Sequence, residues 1–173
     1  KSTNFGSLYG ISKYGLAFQL KIDVDGAQDL LDSFFETVPQ IKKFKDSIGK
    51  FALRNLYSPE FVLGACRFVD KRKLHYDKNS ILRTSGNFSA QGAAASILKI
   101  ATVLIRRHSL HNNKPIKFIT LPYDEIVIEV PKQDAEYWKV KLQYFMELAG
   151  KLALNDDILK TDTATIADYW IHE

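Results

Sequence analysis

Two β-rich runs, Ile116–Leu121 and Ile126–Val130, lie on either side of Pro122-Tyr123-Asp124-Glu125, and no other stretch limits the available folds so sharply. Short runs of this kind joined by a four-residue link read as an antiparallel hairpin with acids at its tip. Periodic helical segments flank it. Upstream, Ala90–His108 carries Ile97, Leu98, Ala101, Leu104 and Ile105 at helical spacing and stops at Asn112–Asn113. Downstream, Ala135–Gly150 turns Trp138, Leu142, Phe145 and Leu148 to one side, with Gly150 at the position of a helix-ending C′ glycine. Helices packed with an antiparallel hairpin make an α+β fold.

The first half reads as mainly helical. Lys1, Phe5 and Tyr9 recur every four residues and share one stripe of a helix that Gly10 stops. A short amphipathic segment, Ser12–Leu20, follows. Asp25 then suits the N-cap of a helix through Thr37 whose apolar face takes Leu30, Leu31, Phe34 and Phe35. Pro39 ends that helix and opens the next, where Ile41, Phe44, Ile48, Phe51, Leu53 and Leu56 oppose a lysine-rich side. Phe61–Asp70, richer in β-formers and broken by Gly64, reads as a hairpin or ribbon, Lys71–Lys78 as a basic loop and Ile158–Glu173 as an extended tail. The absence of internal repeats excludes solenoids.

With 173 residues and 46% hydrophobic content, the chain suits one domain or two small lobes, and wholesale disorder is excluded. The formal charge of +4 permits an anionic partner without naming one. Cys66 has no internal disulfide partner, and no apolar run reads as a bilayer span or secretory segment. A soluble, reducing compartment and no membrane partner are therefore expected. His75, His108, His111 and His172 do not combine with Cys66 at zinc-ligand spacing. Lys1 opens the chain inside what reads as a helix, so the native N-terminus is expected upstream, or the protein is divided.

Three motifs occur in order: Lys1-Ser-Thr-Asn-Phe5-Gly6-Ser-Leu-Tyr9-Gly10 with Ser12 and Gly15-Leu16-Ala17; Arg83-Thr-Ser-Gly-Asn87-Phe-Ser-Ala-Gln91-Gly92 running on to Lys99; and Tyr123-Asp124-Glu125 before a β-run ending Val130-Pro131. Together they resemble the fingers motif, the Asn-to-Gln-Gly segment and the His-Asp-Glu palm turn of family A (DNA polymerase I-like) DNA polymerases. The tail around Trp170 and His172 resembles that family's C-terminus. The resemblance implies partial helical fingers over residues 1–56, then the C-terminal part of the palm over 57–173, with the hairpin carrying a metal-binding turn. The activity implied is template-directed addition of deoxynucleotides to a primer 3′ end by two-metal nucleotidyl transfer.

The resemblance assigns Lys1 to the triphosphate, Phe5 to the sugar pocket and Tyr9 to the templating position. In the family, the phenylalanine form is associated with rejecting nucleotides that lack a 3′-hydroxyl. The chemistry agrees, since a cation steadies charge moving onto pyrophosphate and an aromatic stacks on a base for about 1–3 kcal/mol. On spacing alone, the same residues suit an ordinary amphipathic helix. Arg83, Asn87 and Gln91 are also spaced by four, although Gly86 leaves a continuous helix open. Their donors suit the acceptors common to every base pair in the minor groove; a helix-capping loop is the other reading. Asp124 is expected to bridge two Mg²⁺ ions, and Glu125 to assist directly or through water, although an Asp-Glu turn without the resemblance is simply solvated. Tyr123 stands where histidine is usual and Pro122 where an aliphatic residue is usual. Tyrosine keeps a hydrogen-bonding hydroxyl for the primer end.

The family's other palm aspartate precedes the fingers motif, as do the thumb, any exonuclease region and an arginine shortly before Lys1. Asp23 and Asp25 follow the fingers helix and do not take that place. This chain alone is therefore expected to be inactive, its second carboxylate coming from another polypeptide or an upstream portion that also carries the thumb and the rest of the palm. Primer-template DNA and deoxynucleoside triphosphates are the expected partners, in a bacterial or phage-infected cytoplasm or nucleoid, with an organelle matrix as the other setting. The alternative is a noncatalytic DNA-binding or assembly subunit derived from a polymerase palm. An RNA polymerase on a related palm fits Gln91-Gly92 and the fingers motif less well.

Overall fold

The structure is a computed structural model that describes residues 6, 9–156, 159–162 and 165–168. In chain order these form α1 (Lys13–Leu20), α2 (Val24–Thr37), α3 (Pro39–Asn55), β1 (Tyr57–Pro59), β2 (Cys66–Phe68), α4 (Lys73–Tyr76), α5 (Lys78–His111), β3 (Lys117–Thr120), β4 (Val127–Glu129), a 3-10 turn (Lys132–Asp134) and α6 (Ala135–Leu154). The fold is mostly helical with two separate antiparallel strand pairs, β1–β2 and β3–β4. Two compact units divide at Gln91/Gly92, within α5.

In the first unit, Ser12 caps α1 by accepting from the Gly15 amide at 3.1 Å. Leu16 and Ala17 pack with Ala27 and Leu31 of α2. The N-cap of α2 is Asp23, whose carboxylate accepts from the Gly26 amide at 2.8 Å, and not Asp25, which lies in the first turn. The earlier aspartate wins because its side chain reaches the amide three residues on from an extended backbone. Leu30, expected on the apolar face, is 43% exposed. The buried stripe of α2 is centred on Ala27 and Leu31, and Leu30 stands about 100° around the helix from Leu31.

Pro39 occupies the start of α3, where a missing N–H costs nothing. Leu56, with φ +63°, ends the helix and turns the chain straight into β1, so the first ribbon begins at Tyr57 and not at Phe61. Its loop is tied by Glu60, 2% exposed, whose carboxylate accepts from the amides of Val62 at 2.6 Å and Leu63 at 2.9 Å. The basic stretch 71–78 is not a loop. It holds α4, and Asp77 then caps α5 by accepting from the Ser80 amide at 3.0 Å.

Helix α5 runs unbroken for 34 residues through Gly86. It contains a stretch long and apolar enough to cross a membrane by length and composition, contrary to the sequence expectation; alanines and glycines among the aliphatics disguised the run. In the second unit, Ala101 and Ile105 of α5 are buried with Ile116, Ile126, Trp138, Phe145 and Ala149. Burial of the large members contributes about 1.5–3 kcal/mol each. Trp138, Leu142, Phe145 and Leu148 of α6 all join this core, as the periodicity predicts. Gly150, however, does not end α6, which continues to Leu154 and closes on Asn155 at φ +53°. The glycine is there for packing: a Cβ at 150 would stand 2.8 Å from Cβ of Leu159.

Candidate functional site

The continuity of α5 places Arg83, Asn87 and Gln91 on one stripe of one helix. Arg83 and Gln91 are exposed and Asn87 is half-buried. Asn87 Nδ2 donates to the backbone carbonyl of Tyr9 at 2.9 Å. Gly10 follows in the left-handed region at φ +78°, and a Cβ there would meet Arg83 Cγ at 3.0 Å. Arg83 therefore lies against the same turn that Asn87 holds. Of the first motif, Tyr9 is thus brought to the second motif, while Lys1 and Phe5 lie outside the described residues.

Lys45 on α3 completes this corner and was not singled out from the sequence. Its stem packs where a side chain at Gly86 would begin, 3.3 Å away, and its Nζ comes within 3.4 Å of the equivalent point at Gly10. Burial lowers its pKa, Asp46 opposes that, and the Arg83 charge lowers it further. The available signal was positional: Lys45 is a cation on the stripe that Ile41 and Ile48 define.

In the second unit, β3 and β4 pair Lys117 with Glu129, Phe118 with Ile128 and Thr120 with Val127, with an irregularity between Phe118 and Thr120. The tip is a tight turn in which the Glu125 amide donates to the Pro122 carbonyl at 2.9 Å. Tyr123 holds φ +51° and is 97% exposed. Asp124 and Glu125 are exposed, and neither carboxylate is paired with a cation among the described residues. No third carboxylate, histidine or cysteine joins them among those residues. Two hard oxygen donors free of ion pairs fit Mg²⁺, which keeps several waters and takes one or two carboxylates together with substrate phosphates.

The sequence matches the model of DNA polymerase family A over residues 1–170. DNA polymerase I of Caldicellulosiruptor bescii is 31% identical over 157 residues, which is 88% of this chain and 18% of that protein. DNA polymerase I of Lactococcus lactis subsp. cremoris is 31% identical over 166 residues, 95% of this chain and 19% of that protein. The POL domain of Pol1 from M. smegmatis, solved in complex with DNA primer-template and dNTP, shares the fold with a TM-score of 0.75 at 24% identity, over 86% of this chain and 26% of that one. The chain belongs to DNA polymerase family A. It spans 18% to 19% of the length of these two curated relatives.

Proposed function

We propose that this chain supplies the fingers, over residues 1–56, and the C-terminal part of the palm, over 57–173, of a template-directed DNA polymerase. The observation that carries the reading is the family match running from the Lys1 motif through the hairpin whose tip presents Asp124 and Glu125. In this reading Asp124 holds Mg²⁺ and Glu125 assists through water or directly. When bound, the metal lowers the pKa of the primer hydroxyl and steadies charge on the leaving pyrophosphate. Lys1 contacts the triphosphate, Phe5 the sugar, and Tyr9 the templating position. Asn87 fixes the backbone at Tyr9, and Arg83 and Gln91 remain exposed for the duplex minor groove. Tyr123, with its hydroxyl in solvent, faces the primer end.

A two-metal centre needs more carboxylates than Asp124 and Glu125, so the remaining ligands come from a further portion of the polymerase, on this polypeptide or another. The test is Asp124→Ala in the complete assembly. Primer extension should fall at least about a thousandfold, on the scale of losing a group that acts on the transition state, while DNA binding persists. Extension that survives the substitution overturns the catalytic reading and favours a noncatalytic DNA-binding subunit.

A further inference from the structure

Gly86 stands inside a 34-residue helix, where glycine is less favourable than alanine, so its place there needs a packing reason. The reason is Lys45 of α3: a Cβ at 86 would meet Lys45 Cγ at 3.3 Å and its Cβ and Cε at 3.5 Å. The stem therefore lies along α5, and the ammonium reaches the Gly10 turn, 3.4 Å from where a Cβ would stand at that glycine. In that turn the Ile11 amide donates to the Gly6 carbonyl at 2.9 Å across Gly10 at φ +78°, the bond that closes a helix-ending turn. Carbonyls at such an end favour a cation beside them. Asn87 donates to the Tyr9 carbonyl, Arg83 Cγ and Cδ lie 3.0 and 3.2 Å from the same point at Gly10, and Lys45 closes the remaining side.

Filling the space over Gly86 does not require this charge. A methionine has a stem of similar length and would lie there without setting an ammonium, half out of solvent, beside the Arg83 guanidinium. Burial lowers the Lys45 pKa, Asp46 on the same helix opposes that, and Arg83 on α5 lowers it again. A charge held where its surroundings oppose it breaks the usual agreement between sequence and packing, and such breaks belong to functional positions. We propose that Lys45 is a positioning residue for the templating position: its ammonium holds the Tyr9–Gly10 turn against Asn87 and Arg83, and so fixes where the Tyr9 ring stands. That Tyr9 serves the templating position rests on the polymerase reading above.

The test compares Lys45→Met, which keeps the stem and removes the charge, with Gly86→Ala, whose methyl presses the stem away from Gly10 while favouring the helix. Single-nucleotide insertion by the complete assembly gives kcat/KM for a paired and for a mispaired nucleotide, and hydrogen exchange of the chain follows the Ile11 amide. Both variants should lower the paired-to-mispaired ratio about threefold to tenfold, with extension retained. In Lys45→Met the Ile11 amide should exchange about twofold to fivefold faster, on the scale of one cation at a helix end. Lys43→Met removes an exposed charge two positions away, on the far side of α3, and should change neither readout. A purely structural glycine predicts the opposite for Gly86→Ala: higher stability and an unchanged ratio. An unchanged ratio in Lys45→Met overturns the proposal, whether or not the Ile11 amide responds, and an equal loss in Lys43→Met overturns it in favour of diffuse charge. Asp124→Ala is read as loss of extension and Lys45→Met as loss of discrimination with extension retained, so the two readings fail separately.

Discussion

The side-chain amide of Asn87 donates to the main-chain carbonyl of Tyr9 at 2.9 Å, joining positions 78 residues apart. A residue assigned by family resemblance to the DNA duplex thereby also holds the turn that follows the first motif. Gly10 and Arg83 meet at the same place, so the orientation of Tyr9 depends on α5.

Asn87→Ala should cost about 1 kcal/mol of stability, the net worth of one half-buried hydrogen bond. Asn87→Asp should cost more, because it sets a carboxylate against a carbonyl. Urea unfolding of the chain measures both, and equal, negligible losses would show that the bond contributes nothing.

Tyr123 holds φ +51° with its side chain 97% exposed, so it gives up little packing for a conformation that penalises a Cβ. Tyr123→Gly should stabilise the hairpin by up to about 1 kcal/mol, and the β-branched Tyr123→Val should destabilise it by about as much. Thermal unfolding of the two variants should move in opposite directions.

Gly150→Ala places a methyl 2.8 Å from Cβ of Leu159, a contact that neither residue can relieve by rotating a side chain. The expected loss is about 1–3 kcal/mol. Far-UV helix content should be unchanged, while amide exchange at residues 159–162 accelerates, because Thr161 is tied to Glu147 on α6 at 3.3 Å.

His108 stacks beside Tyr137, with Nε2 2.5 Å from the Tyr137 hydroxyl, and Asn112 donates to Nδ1 at 3.1 Å. An accepting Nδ1 puts the proton of the neutral ring on Nε2. Burial, then Lys141, then His111 lower its pKa. The unfolded chain takes up the proton first, so this contribution is present above about pH 6.5 and is lost as pH falls through the folded value. Stability should decline as pH falls below about 6.5, and His108→Gln should flatten that slope. An unchanged slope would remove His108 as its source.

Local chemistry was the legible part. The periodicity of Ala135–Gly150 placed Trp138, Leu142, Phe145 and Leu148 in the core, and Pro39 marked a helix start. Asp23 and Asp25 are the same residue type two positions apart, and only backbone geometry separates cap from first turn. Lys71–Lys78 resembled a loop because its charge hides a short helix and the Asp77 cap that follows. In the candidate site, the carboxylate turn was legible from the two flanking β-runs, whereas the corner at Lys45 required residues from several elements to be brought together.

By itself, the sequence determined the order of the motifs, the hairpin that presents Asp124 and Glu125 and the helices around it, because periods of 3.6 and 2 and turn chemistry act over a few residues. Tertiary structure alone decided that α5 continues through Gly86, that Gly150 serves packing instead of termination, and that Asn87 anchors Tyr9. Each of these depends on a neighbour distant in the chain: Lys45 against Gly86, Leu159 against Gly150 and the Tyr9 carbonyl against Asn87. A residue's own type and spacing do not specify what will be packed against it.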